Sequence, residues 1–150
     1  MKTLFMETTK IEPEQTVTEI QRILGKYGAS AVMTEYEKGE IVSVTFKIKL
    51  GERWLPFLLP CRWQPVHKNF LLRREGGQSL RHKIADDIIQ AKRVAWRQIL
   101  RWIEAQMALV ETEMVDIKEV FMPYIQVSLT QTFYQKMAQK GNFPQIEDQR

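Results

Sequence analysis

Between two short turns the chain reads IVSVTFKIKL, Ile41 to Leu50. In it Val42, Val44, Phe46, Ile48 and Leu50 alternate with Ser43, Thr45, Lys47 and Lys49. Side chains of a strand point alternately to its two faces, so a period of two gathers the large apolar residues on one side. Such a segment is a half-buried antiparallel strand, with a core on one face and a wet, basic face opposite. Its neighbours agree. ASAVMTEY precedes it across a turn with Gly39, and Gly51 leads on into RWLPFLLP. There Pro56 and Pro60 require an edge strand, because proline brings no N–H to the ladder. The three segments predict a meander whose apolar face must be covered.

Helices on either side supply the cover. KTLFMETTK has the composition of a further short strand over residues 2–9, and a helix follows it. Pro13 suits the first turn, Thr16 and Glu19 have capping-box spacing, and Glu12 and Glu14 favour the positive end of the helix dipole. Val17, Ile20, Leu24 and Tyr27 form its apolar stripe, and Gly28 fits the left-handed stop. A long helix is predicted from about Lys83 to Thr112, a short one from Asp116 to Pro123, and a third from Thr130 to Gln139 before Gly141. From Cys61 to Lys83 periodicity is lost, and LLRREGGQSLRHK reads as a basic, mobile loop. The expected fold class is therefore α+β. A small antiparallel sheet of three to four strands is packed on one face by the N-terminal and long central helices, with short C-terminal helices. One domain spans residues 1–140, and residues 141–150 form a frayed tail.

Charge is unevenly spread. The net formal charge of +4 conceals a middle stretch, residues 62–101, with ten basic and three acidic side chains. Localised basicity points to a polyanionic partner more directly than overall charge does. In the long helix Arg93, Arg97 and Arg101 recur every fourth residue, about 6 Å apart along the axis. That is close to the phosphate repeat of an extended single strand, and the guanidinium fork can bond a phosphate with two hydrogen bonds. Arg73, Arg74, Arg81 and Lys83 add to it from the loop, and Lys47 and Lys49 from the open sheet face. Together these nine residues are the candidate nucleic-acid contacts, with Trp54 or Trp63 as a stacking surface. The plain alternative is a solvated helix face, since Asp86 and Glu104 share that side. Trp96 and Trp102 fall on the apolar half of the same helix and are expected to pack. That half is about 180° wide, broader than one neighbour requires.

Chemistry with a recognisable signature is missing. Cys61 and His67 lie six apart without a second pair, so no metal site is expected. REGGQS lacks the lysine and hydroxyl that end a phosphate-binding loop, and no carboxylate pair sits in an apolar setting. One cysteine, an acidic N-terminus and no apolar run of membrane-spanning length lead to the expectation of a soluble protein in the cytoplasm of a bacterial host, with no membrane partner.

Two segments taken together, ILGKYGASAVMTEYEKGEIVSVTFKIKLGERWLPFLLP and AKRVAWRQILRWIEAQMALVETEMVDIKEVFMPYI, resemble a family of small proteins of bacteriophages, prophages and mobile elements. The likeness spans roughly residues 1–127, and its specific part is the AWR to EVFMPY region. It implies a setting in phage replication or recombination and brings no catalytic residues or cofactor. The combined expectation is a non-enzymatic, cofactor-free nucleic-acid-binding accessory protein, with single-stranded DNA slightly preferred. The rival is an adaptor or inhibitor of a host protein, or a self-associating structural component, for which the wide apolar arc speaks.

Overall fold

A computed structural model describes residues 2–145 and residue 147. The chain runs α1 (Pro13–Lys26), β1 (Ala29–Glu37), β2 (Glu40–Leu50), β3 (Arg53–Pro60), α2 (Gln64–Glu75), α3 (Asp87–Glu111), α4 (Ile117–Phe121) and α5 (Phe133–Lys140), with single 3₁₀ turns before α3 and after α4. The sheet is three-stranded and antiparallel, in the order β1-β2-β3. This is the expected α+β class.

β2 sits at the centre because it carries the cleanest alternation. Val44 faces Thr34 and Leu59 across the strands, Phe46 faces Val32 and Phe57, and Ile48 faces Ala29 and Leu55. Val44, Phe46, Ile48, Phe57 and Leu59 are buried against Val17, Ile20 and Leu24 of α1 and against Trp96, Leu100, Ile103 and Met107 of α3. Phe46 stacks on Phe57 with ring centroids 5.1 Å apart, and Phe121 of α4 meets Phe46 edge-on at 5.4 Å. Trp102 closes the cluster against Phe121 at 5.3 Å. Both tryptophans of α3 are therefore packing residues: Trp96 is fully buried and Trp102 partly so.

The β1–β2 pairing is irregular at two places, between Ala29 and Ala31 and between Glu35 and Tyr36, and the second changes which residues enter the core. The pairing shifts between Glu35 and Tyr36, so that Ser43 pairs with Glu35 but Ile41 with Tyr36, leaving Val42 as an extra residue. A bulge of this kind reverses the faces beyond it. Ile41, rather than Val42, accordingly joins the core. The opposite face is also drier than expected. Lys47 and Lys49 are exposed, but Ser43 and Thr45 are buried and their hydroxyls have no hydrogen-bond partner among the described residues. Met33 and Leu58 flank Thr45 in register, and Glu35 and Pro60 flank Ser43, so larger neighbours shade the two short side chains.

Three other expectations are corrected. Residues 2–9 are not a strand: they form turns, with Met6 at φ 65°, Glu7 N–H bonded to the Leu4 carbonyl and Thr9 N–H to that of Met6. Thr16 and Glu19 are not a capping box, since α1 begins at Pro13 behind Glu12, which makes no side-chain cap. The basic segment after Cys61 is largely helical. α2 buries Phe70 with Ala91 and Val94 of α3, lined by Leu4, Trp63, Val66 and Leu80, and only residues 76–83 remain as a loop. The C-terminal signals were sound. Asp116 with Glu119, and Thr132 with Gln135, form reciprocal capping boxes, and Gly141 takes the left-handed conformation after α5. The expected frayed tail lies in part outside the described residues. Pro56 and Pro60 do stand on an edge strand, whose outer side bonds Gln126 through the Pro56 carbonyl at 2.9 Å. Outside β1 no strand pairs among the described residues.

Phe46 touches both neighbouring strands, α4 and the helical layer, so its truncation empties the middle of the core. Phe46→Ala is expected to destabilise by on the order of 3–5 kcal/mol. The thermal midpoint should fall by roughly 10 °C or more. A melt moved by only a degree or two would place the strand's other face in the core.

Candidate nucleic-acid interface

The nine basic residues divide according to what the fold has done with them. Arg97 is 3% exposed, and its guanidinium bonds the Glu19 carboxylate and the Thr16 hydroxyl on α1. Arg93 reaches Glu12 and, at 3.3 Å, the side-chain carbonyl of Gln90. Glu12, Thr16 and Glu19 follow one another along one side of α1, as Arg93 and Arg97 do along α3. α1 therefore lies along the arginine ridge and neutralises it. The spacing that fits a phosphate track fits a parallel partner helix equally well, and here that helix occupies it, with Arg93 on Glu12, Arg97 on Glu19 and Glu111 on Tyr27. Arg93 keeps a quarter of its side chain in water, and Arg101 stays the most open of the three, paired with Glu104 one turn on at 2.7 Å, both side chains 40% exposed. Such a pair contributes little and opens readily.

The arginines of α2 are spent in the same way. Arg73 is buried with both terminal nitrogens on the Glu7 carboxylate, one at 3.3 Å. Arg74 donates Nε and Nη2 to Asp87 at 2.9 and 2.8 Å, and Nη2 also bonds the His82 carbonyl at 3.0 Å. Asp87, buried at the start of α3, receives His82 Nε2 as well, at 2.6 Å. Gln90 completes the junction by donating to the carbonyls of Glu7 and Thr9. Burial alone would raise both carboxyls. The Arg73 fork, the Leu4 N–H and the nearby positive charges nevertheless hold Glu7 below its ordinary value, and Arg74 and His82 do the same for Asp87. The Asp87 bond in turn raises Arg74.

Arg81, Lys83, Lys47 and Lys49 remain exposed, without an ion-pair partner among the described residues. Lys49 stands opposite Trp54 in the β2–β3 register, with its ammonium 5.7 Å from the indole centre. Trp54 is 49% exposed. Lys47, two residues back on the same face, lies opposite Pro56. Lys47, Lys49 and Trp54 are thus brought together, whereas Trp63 is half-buried beneath the Lys92 ammonium at 4.9 Å. Lys92 itself pairs with Glu40. None of Glu7, Lys10, Asp87 or Gln90 had been singled out from the sequence. Glu7 meets Arg73 across 66 residues of chain and Gln90 meets the Glu7 carbonyl across 83, separations that no local spacing signals, whereas Asp87 meets Arg74 and His82 from within 13 residues.

Other reactive groups are subdued. Burial pushes the Cys61 thiol up to about 12, against a smaller lowering by Lys92, so it stays protonated at neutral pH. Among the described residues no cluster of three or more metal-ligating side chains occurs, and no helix is long and apolar enough to cross a membrane. Comparison with protein-family models, curated proteins and solved structures gives no match to this chain.

Two outcomes follow from the ion pairs. Arg97→Ala, harmless if the guanidinium stood in water, is expected to lower stability by on the order of 1–3 kcal/mol, because it removes a charge-assisted bond and unpairs Glu19. Urea unfolding reads this directly, and an unchanged midpoint would put Arg97 outside the α1–α3 interface. Acid should also unfold the protein. Depressed carboxyls contribute stability that is complete above their ordinary values, 4.5 for Glu7 and 3.8 for Asp87, and is lost as pH falls through the lowered ones. Between about pH 4.5 and 2.5 the wild type should lose stability more steeply than Glu7→Gln. Equal slopes would show that the Arg73 bond does not hold Glu7 ionised.

Proposed function

We propose that this is a non-enzymatic nucleic-acid-binding accessory protein of the phage type, serving replication or recombination. It would take a nucleic-acid strand, single-stranded DNA in slight preference, on the open face of its sheet. One observation carries the reading: Lys47, Lys49 and the half-exposed Trp54 share that face, with Lys49 over the indole. Alternate residues of an antiparallel strand repeat at about 6.8 Å, so two lysines so spaced suit successive phosphates of an extended strand. An indole face accepts any base, which gives affinity without sequence preference. The resemblance to phage-encoded proteins supports the setting.

The second reading, a protein-binding adaptor or inhibitor of a host protein, or a self-associating component, has its own support. Ile84, Ile88 and Ile89, at the beginning of the long helical segment, are 71%, 43% and 49% exposed. They are the part of the wide apolar arc that neither core covers.

Fluorescence anisotropy of a labelled oligonucleotide across a salt series tests the proposal. With two phosphate contacts the log–log slope for a single strand should be about −1.4. Lys47→Ala should make it shallower by about 0.7 and weaken all sequences alike. Trp54→Ala should cost about 1–3 kcal/mol of binding. No binding at low salt ends the nucleic-acid reading, whereas binding indifferent to Lys47, Lys49 and Trp54 moves it off the sheet. Self-association abolished by Ile88→Ser, in a protein that retains no oligonucleotide, would favour the rival.

A further inference from the structure

A cleft of about 630 Å³ opens away from the sheet, between the N-terminal turns, the end of the 76–83 loop and the first turns of α3. Its volume lies within the roughly 300–1,000 Å³ of small-ligand sites. Its wall, however, is polar: Glu7, Thr8, Thr9, Lys10, Arg81, His82, Gln90 and Arg93. From this cleft we infer a binding site for a phosphate monoester, independent of the sheet face.

The charge balance of the wall selects the ligand. Glu7 is neutralised by Arg73, and Arg93 by Glu12. His82 gives Nε2 to Asp87, and Gln90 gives its amide to two carbonyls. Lys10 and Arg81 are left as exposed cations in the wall with no ion-pair partner among the described residues. The Thr8 and Thr9 side chains add hydroxyl donors, and the Thr9 oxygen also accepts the Ile11 N–H at 3.2 Å. An excess of two positive charges with hydroxyl donors suits a dianion, and the guanidinium fork of Arg81 suits phosphate oxygens in particular.

The wall is also held in place before any ligand arrives. Gln90 anchors the carbonyls of Glu7 and Thr9, the Arg73–Glu7 pair ties the same turn to α2, and Arg74 grips the His82 carbonyl. Met6 is kept at φ 65° within that turn, a conformation a non-glycine side chain holds only where its surroundings insist on it. Little ordering is then left for the ligand to bring about, which favours affinity for a small anion.

The same chemistry is offered by a free nucleotide and by the phosphorylated end of a strand. Calorimetric titration at low ionic strength should use inorganic phosphate, adenosine monophosphate, and one short oligonucleotide with a 5′-phosphate or a 5′-hydroxyl. Phosphate and the nucleotide are expected to bind, and Arg81→Ala and Lys10→Ala should each weaken them by about tenfold or more. Both side chains are exposed and unpaired, so neither substitution should move the thermal midpoint, which is measured alongside. A 5′-phosphate that improves oligonucleotide binding by about tenfold, lost in Arg81→Ala but retained in Lys47→Ala, assigns the cleft to strand ends. Equal binding of the two oligonucleotides, with the nucleotide still bound, assigns it to free nucleotides. Failure of phosphate and nucleotide to bind at millimolar concentration overturns the site, as does binding indifferent to Arg81 and Lys10. Neither failure touches the sheet-face proposal, which is read from Lys47 and Trp54.

Discussion

The structure depends on one helix being buried twice. Early in α3, Ala91 and Val94 pack against Phe70 of α2, while further along Trp96, Leu100, Ile103 and Met107 join the core shared by α1 and the sheet. A helix so enclosed must carry polar residues on faces that meet protein, and these need partners there. Arg97 finds Glu19 and Thr16, Asp87 finds Arg74 and His82, and Gln90 finds two backbone carbonyls. The ion pairs are thus a condition of the packing. The N-terminal turns, which have no ladder of their own, are held by the same contacts.

That condition redistributes the basic charge. The middle of the chain is rich in arginine, yet Arg73, Arg74, Arg93 and Arg97 are matched to carboxylates on α1, on α3 and in the N-terminal turns. Positive charge open to a partner includes Lys47 and Lys49 on the sheet, Lys10 and Arg81 around the polar cleft, and Lys83 at the end of the 76–83 loop. A count along the sequence finds where basic residues are made; the packing decides where their charge is felt.

The elements legible in the sequence were those with one clear apolar face. The meander could be read because β2 has one core face and two tight turns, and α1 because Val17, Ile20 and Leu24 form a single stripe. The last two helices were placed by their stops, Pro123 and Gly141, and the start expected at Thr130 fell at Phe133 behind the Thr132 cap. α2 was missed because one of its two buried positions, Phe70 and Arg73, is charged, so its apolar periodicity is too faint to register. Pro65 in its first turn and Gly76–Gly77 after its last were the available signals. Arg97 was misplaced for a related reason: periodicity ranks it polar, and only the carboxylate of Glu19, far off in sequence, makes its burial acceptable. The slip at Val42 likewise leaves no local trace.

The two borders of the sheet differ. β3 is met along its outer side by Ile125 and Gln126, which take up the Phe57 bridge and the Pro56 carbonyl. β1 has no such neighbour among the described residues, and Ala29–Glu37 contains neither proline nor lysine to discourage pairing. Strand-to-strand growth thus has one usable border per molecule. Two molecules that meet through it consume both, in a twofold arrangement that closes on itself. For growth through the described sheet edges, the polarity of the sheet is therefore a stop signal: a pair leaves no second free border to extend.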